Sequence, residues 1–524
     1  MASQLVTVMM CISATAYGRP PNLIMFLADD LGWDDVGFHG SGQVLTPTID
    51  ALASEAVVLD SYYSSPICSP SRGALLTGVH PIHASMQNDV IGTAEPRGLP
   101  LHLRLLPQHL SPLGYRSHLI GKWHLGFYRS QFTPTHRGFD SHYGYWTGAI
   151  GYYDHAALED KDSWGMDFRD GMDVAVNDSG RYTTTLFTER ALQRIHDHDP
   201  LVPLFLMISY QNVHSGNSYS PLEAPEQLIK QFPYIKDERR KTFAAMLLAM
   251  DQSIGTIMHS LRSRNMLTNS IVMFASDNGA AVAGLGGNIG SNWPLRGSKY
   301  SLFEGGIRVP AFIWSPLLKQ KPYVSHELFH VSDWVPTLLS AIRTHEPNVS
   351  LMYGISQWES LSKRTPSSRK QLLHNTDPIW NVSAIRVGRF KLVQGLDPKS
   401  RQGWFRPPPG HRHDHTFVST HIQCPGVETS DCTPDSALCL FDIQQDPCEM
   451  ENIADREPQV VRDLWQRVQE LAQTATPAGR EERDARSWPP LHGYAWSCWQ
   501  DGAQAGEGCD RGECTKHKVG RSRE

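Results

Sequence analysis

Cys68-Ser-Pro70-Ser-Arg72 runs directly into Gly73-Ala-Leu-Leu-Thr-Gly78. Pro70 fits the first turn of a helix, where its missing N–H costs nothing. Ser69 is a suitable cap just before it, and Gly78 can end the helix. Cys68 then sits at or just before a helix N-terminus, a place that attracts anions. Arg72 lies one turn in, on the side that can reach back toward Cys68. A cysteine between a helix end and a guanidinium is suited to handling an anionic group. The plainer alternative is a half-buried cysteine ahead of an ordinary amphipathic helix.

Other chemistry-bearing residues fall at the ends of apolar runs. Asn22–Ala28 ends in Asp29-Asp30, and two adjacent carboxylates there are costly unless something positive sits between them. Tyr115–Gly121 gives way to Lys122-Trp-His124, where residues two apart share a face of extended chain. Leu204–Tyr210 ends near His214, and Ser270–Ala275 ends near Asp277-Asn278-Gly279. Lys299 follows the glycine-rich stretch 280–292; alone it would read as a solvated lysine. In open α/β sheets ligands gather at the carboxyl ends of parallel strands, so several runs ending in a carboxylate, amide or histidine point at one site.

The elements that must position these residues are legible as an α/β pattern. Apolar runs of strand length read as buried parallel strands. Thr46–Ala56, Leu101–Leu113, Thr242–Leu261 and Asp333–Ile342 read as helices, and Val57–Tyr63 as one strand. Residues 343–380 are polar and mixed, a boundary. Ala384–Gln394 alternates like a hairpin, Leu438–Ile443 is a strand, and Pro458–Ala475 is an amphipathic helix. The expected organisation is a leader at 1–17, a catalytic domain at 20–345, a smaller antiparallel subdomain at 380–475 and a cysteine-containing tail at 476–524.

Composition narrows the class. The 524 residues are 40% hydrophobic and 19% charged, as in globular proteins. A net charge of −6 does not suggest nucleic-acid binding. Residues 1–17 form a short apolar run ending in Ala14-Thr-Ala16, a signal-peptide pattern without a basic start; no other stretch could span a bilayer. Asn177, Asn348 and Asn381 head N-glycosylation sequons. Of nine cysteines, Cys424, Cys432, Cys439, Cys448, Cys498, Cys509 and Cys514 cluster in the last quarter, implying disulfides and an oxidising compartment; seven is odd, so one is free or intermolecular. The 24 histidines would turn the chain net positive at acid pH if unperturbed, which suits a polyanionic substrate in an acidic compartment.

Cys-x-Pro-x-Arg with Leu-Leu-Thr-Gly resembles the sulfatase family motif, and the likeness extends over roughly residues 21–475. Asn22–Trp33 looks like that family's opening strand, Gly121-Lys-Trp-His-Leu-Gly126 its second box, Asp277-Asn278-Gly279 its third and Leu440–Asn452 its C-terminal motif. Within the family the chain is most similar to the arylsulfatase B, I and J group, on Asp167–Gly171, Asn292–Gly297, Ser315–Lys321 and Leu373–Pro378. The resemblance implies an alkaline-phosphatase-like fold: a large mixed, mostly parallel sheet flanked by helices, with a smaller C-terminal antiparallel sheet plus helix. It implies hydrolysis of sulfate esters, with N-acetylgalactosamine-4-sulfate of chondroitin or dermatan sulfate as substrate.

The resemblance further implies that Cys68 is oxidised to formylglycine by the formylglycine-generating enzyme. Asp29, Asp30, Asp277 and Asn278 would bind Ca²⁺ together with position 68, and all are hard oxygen ligands. Arg72 would hold the formylglycine hydrate; Lys122, His124, His214 and Lys299 would surround the sulfate and handle protons. A lysosomal or extracellular destination goes with this reading. The chain departs from the subgroup in having no cysteine in residues 80–165 and a different set in 398–436 and the tail. Two alternatives stand beside it: a phosphonate monoester or phosphodiester hydrolase of the same superfamily, and a non-catalytic secreted binder. Asp277-Asn278, where two-zinc relatives often carry Asp-His, favours one hard metal.

Overall fold

The computed structural model describes residues 19–160, 163–342, 353–406, 422, 424 and 432–501. A ten-stranded sheet forms its centre, in the order Tyr323–Ser325, Val57–Leu59, Ala311–Trp314, Ser270–Ser276, Asn22–Ala28, Leu204–Ser209, Arg116–Lys122, Ser141–Tyr145, Arg169–Asp170, Asp173–Val174. The five strands from Ser270–Ser276 to Ser141–Tyr145 are mutually parallel; antiparallel pairs flank them on both sides, and the outermost strand Tyr323–Ser325 pairs parallel with Val57–Leu59. Both faces of the central strands are covered. Asn22–Ala28 is buried at every position, which is why its sequence reads as an unbroken apolar run. The long helix Glu238–Ser263 packs on Thr183–Asp197 and Pro47–Ser54 on one face, and Cys68–Thr77 packs against Trp334–Ala341.

A second sheet of four antiparallel strands follows: Gln371–Asp377, Val382–Val387, Phe390–Gln394 and Cys439–Asp442. Helix Pro458–Ala472 buries Leu464 and Val468 against it. Tyr63, Phe303 and Ile307 from the large part share a core with Leu372, Val393 and Phe441 of the small sheet. Within that junction lies a buried charge cluster. The Lys391 ammonium is 2.8 Å from Glu304 Oε1 and 2.8 Å from Glu449 Oε1. The Glu304 N–H donates to Glu449 Oε2, and Tyr63 Oη donates to Glu304 Oε2.

At four places the structure adds to or departs from the sequence reading. Val57–Tyr63 is not one strand: a turn at Asp60-Ser61 sends Val57–Leu59 and Tyr62–Tyr63 into different sheets. Leu101–Leu113 is α-helical only over Leu106–Leu110, with Pro107 in its first turn, and continues as a 3-10 turn over Ser111–Leu113. The stretch 343–380 contains helix Trp358–Lys363 and strand Gln371–Asp377, which is polar in sequence and broken by a bulge after Leu373. The tail is not merely appended: Trp496 is fully buried, and its Nε1 donates to Ala157 O and its backbone N–H to Met166 O.

Cys424 pairs with Cys448 and Cys432 with Cys439, placing disulfides in the C-terminal region as the clustering implied. Cys498 is unpaired among the described residues, and Cys11, Cys509 and Cys514 lie outside them. Asn177 and Asn381 are exposed; Asn348 and the 1–17 leader lie outside the described residues. Among the described residues no helix is long and apolar enough to cross a membrane.

Candidate active site

The parallel register sets the tips of the central strands side by side: Ala28 opposite Ser276, Leu27 opposite Ser209, and Ser209 opposite Gly121. The residues that follow those tips therefore emerge at one edge. Facing them is helix Cys68–Thr77, all ten residues of which are buried. It starts at Cys68 itself, with Ile67 as the cap, so the expectation of Ser69 as cap does not hold. Ser69 instead donates to His124 O and accepts from the Ile91 N–H, tying the helix start to two loops. Gly78 ends the helix in the left-handed conformation, its N–H on Ala74 O.

Cys68 Sγ lies 3.6 Å from Asp29 Oδ1. Burial pushes its thiol up to about 12 despite Lys122 and Lys299 nearby. Arg72 does not reach back to it by a hydrogen bond. Its Nε and Nη2 donate to Asp277 Oδ2 at 2.9 and 2.7 Å, its Nη1 donates to Ser209 Oγ at 2.7 Å, and Nη2 stands 3.4 Å from Asp29. Ser209 was missed in the sequence, although it too is a polar residue ending an apolar strand.

The paired carboxylates have their positive partners. Lys122 Nζ is 2.5 Å from Asp29 Oδ2, Lys299 Nζ is 2.7 Å from Asp30 Oδ1, and His214 Nε2 is 3.7 Å from Asp30 Oδ2. Burial pushes both acids up, but Lys122 at Asp29 and Lys299 at Asp30, helped by His214, outweigh it and hold them below the usual range. Burial likewise opposes the Lys299 ammonium, and Asp30 overcomes that, holding it well above its ordinary value. His214 is pushed down by burial and by Lys299.

Lys122 and His124 do not act from a shared strand face. The strand ends at Lys122, and His124 adopts φ 59°, turning its ring away so that Nε2 meets Ile91 O at 3.1 Å. A side chain at Gly148 would come within 2.8 Å of that ring, which is why glycine stands there. His124 Nδ1 is buried without a partner, and burial with Lys122 holds the imidazole neutral far into acid. A cavity of about 1190 Å³ opens over Cys68, His124, His214 and Lys299.

Ligand atoms of Asp29, Asp30, Cys68 and His214 all lie within 4.8 Å of one another, a group able to hold a metal ion. Asp277 Oδ1 accepts from the Asp30 N–H, Asn278 Nδ2 donates to Asp30 Oδ1, and Asn278 Oδ1 is a buried acceptor without a partner. That orphaned oxygen beside three converging carboxylates fits a hard cation. The geometric group includes His214, which the expected ligand set did not.

The histidine expectation is also reduced. Burial pushes His39 and His80 down to about 3 and His118 and His142 down to about 4, so these stay neutral at lysosome-like acidity and add no charge there.

The sequence profile of the Sulfatase family matches residues 21–344. Arylsulfatase J of Mus musculus is 38% identical over 507 residues, covering 93% of this chain and 81% of that protein. N-acetylgalactosamine-6-sulfatase of Homo sapiens is 33% identical over 393 residues, covering 72% of this chain and 72% of that protein. Among solved structures, that of Ps i-CgsB superposes with a TM-score of 0.71 at 23% identity, covering 93% of this chain and 98% of that one, a likeness of fold.

Proposed function

The chain belongs to the sulfatase family of sulfuric ester hydrolases, and on that premise we propose that it cleaves a sulfate ester of N-acetylgalactosamine in chondroitin or dermatan sulfate, with position 68 as nucleophile. What supports the reading is one juxtaposition. Cys68, three carboxylates and three cationic side chains from five separate parts of the chain converge around and beneath the place where Cys68 and Lys299 line the larger cavity. Cations arranged in advance around the pocket stabilise charge on sulfate oxygens as it develops.

Asp29, Asp30, Asp277 and Asn278 would hold Ca²⁺, which when bound supplies a Lewis acid for a sulfate oxygen. Oxidation of Cys68 to formylglycine supplies an oxygen nucleophile, which the un-ionised thiol at this position does not. The chain's own groups then divide the remaining work. Arg72 fixes Asp29 and Asp277 beneath position 68. Lys299 and His214 both line the cavity and carry protons that the departing sugar oxygen can take. His124, neutral and with a free Nδ1, can accept the proton released at position 68. The exposed sequons at Asn177 and Asn381 suit the secretory route to a lysosomal or extracellular destination.

The test is mass spectrometry of the Cys68 peptide from native material, followed by disaccharides sulfated at the 4- or the 6-position of N-acetylgalactosamine. An aldehyde at position 68 and release of the 4-sulfate are expected, with a Cys68→Ala loss on the order of 10⁴-fold or more, as for other nucleophiles. A native thiol at 68, or turnover retained in Cys68→Ala, would refute the mechanism. Preferential release of the 6-sulfate would move the assignment to the regiochemistry in the name of the 33%-identical relative.

A further inference from the structure

Two arms of opposite chemistry leave the Cys68 site. The larger cavity runs outward to Trp164, Tyr219 and Tyr494, which are 51%, 61% and 58% exposed. Its charged lining away from the site is acidic. Asp154 accepts from Tyr219 Oη, and Glu159 faces Arg483 at 2.9 Å. A second cavity of about 440 Å³ leaves from Asp30, His214 and Lys299 and runs to Lys399 and Arg401.

Tyr300 lines both arms and forms the ridge between them. It holds φ 73°, a left-handed conformation that a bulky side chain adopts only where its surroundings impose it. Its N–H donates to Pro66 O, just ahead of Cys68. Lys299 Nζ and Lys399 Nζ stand 6.0 and 5.3 Å from its ring centre. Lys399 is neutralised by the Asp89 carboxylate. Arg401 is exposed, and among the described residues no carboxylate pairs with its guanidinium. With one sulfate over Cys68, a further negative group on the same substrate meets Asp154 and, among the described residues, no unpaired cation along the aromatic arm, and is drawn to the Arg401 side.

Resting on the hydrolase reading above, we propose that Arg401, seated behind Tyr300, is a second anion subsite: the substrate carries, besides the sulfate removed, another anionic group that lies in the Lys399–Arg401 arm. A carboxylate and a second sulfate share this chemistry, and guanidinium binds either through paired hydrogen bonds. The aromatic arm is left for an uncharged face of the substrate.

The test compares steady-state kinetics of wild type, Arg401→Gln and Arg401→Lys on four substrates. These are 4-nitrocatechol sulfate, a monosulfated uronate-containing disaccharide, its carboxyl-reduced form, and a carboxyl-reduced disaccharide with two sulfates. Arg401→Gln should raise KM about tenfold or more, the worth of one charge-assisted hydrogen bond, on substrates with the second anion. It should leave kcat and the nitrocatechol and reduced monosulfated substrates unchanged, and Arg401→Lys should recover part of the loss. Sensitivity of the uronate disaccharide assigns a carboxylate; sensitivity of the disulfated compound alone assigns a sulfate. An Arg401→Gln enzyme with no KM change, or an equal change on all four, overturns the subsite. A wild type inert to all four removes the hydrolase reading and the subsite with it, so the two failures are distinct.

Discussion

Lys391→Met removes the one ammonium between Glu304 and Glu449 while keeping most of the buried stem. All three side chains are fully buried at the junction of the two sheets. In the wild type, burial pushes Glu304 up, and Lys391 with Arg308 and Arg386 pulls it below its ordinary value. Glu449 is left the weaker claimant: its Oε1 has no aligned hydrogen bond, and burial raises its carboxyl from 4.5 to about 7. The signs follow. The contribution of Glu449 is fully present below about pH 4.5 and lost as pH rises through about 7. That of Glu304, whose folded value is depressed, is present above its unfolded value and lost as pH falls.

Without Lys391 both acids sit in the raised class. Removing one partner of a buried ion pair costs about 3–5 kcal/mol near neutrality. Each pH unit of protonation relieves about 1.4 kcal/mol for a carboxyl that binds its proton in the folded state. Between pH 7.5 and 5.0 the deficit should therefore shrink to about 1 kcal/mol. Urea unfolding of wild type, Lys391→Met and Lys391→Met/Glu449→Gln at both pH values measures it, with the double variant recovering part of the loss at pH 7.5. A deficit of equal size at pH 5.0 and 7.5 would refute the reasoning, because lost packing does not titrate.

Chelation with EGTA should abolish sulfatase turnover and lower the thermal midpoint, and Ca²⁺ at about 100 times its Kd should restore about 3 kcal/mol of stability. Restoration by Zn²⁺ and not Ca²⁺ would point to the Cys68–His214 donors instead of the oxygens. Gly121→Ala should prevent folding or cost at least 4 kcal/mol or so, because Gly121 has φ 106° and an added Cβ would lie 1.9 Å from Ser209 O; soluble, active protein would count against the register. Trp496→Ala should cost about 3–5 kcal/mol, read by denaturant unfolding, whereas a change under about 1 kcal/mol would mean the tail does not share the core.

The strand tips were legible because a parallel strand covered on both faces shows as a continuous apolar run, and the polar residue that ends it stands out. Asp29, Asp30 and Asp277 were found that way, and Ser209 could have been. Local rules failed where a contact distant in sequence decides the conformation. Ser69 is a good cap by type, yet its hydroxyl is taken by His124 O and the Ile91 N–H. His124 leaves the strand face because its ring has a place only against Gly148 and Ile91 O. Gln371–Asp377 was invisible as a strand because its bulge breaks the alternation and its buried polar residues are satisfied across the junction, as with Asn375 Nδ2 on Gln87 O. Arg401 carries no local signal at all; only the cavity it shares with Lys299 marks it.

The helix that begins at Cys68 is buried along its whole length, and Cys68 itself, 1% exposed, meets only the cavity above it. A second protein cannot take hold of a side chain buried that deeply, so the enzyme proposed above to oxidise Cys68 would have to meet it before the chain has folded. Lys299 and the docking side chain Trp496 emerge long after Cys68. At ordinary synthesis speeds the interval from Cys68 to Trp496 is roughly 20–90 s. On that proposal the time before folding, rather than any feature of the finished fold, would decide what fraction of molecules carries the aldehyde.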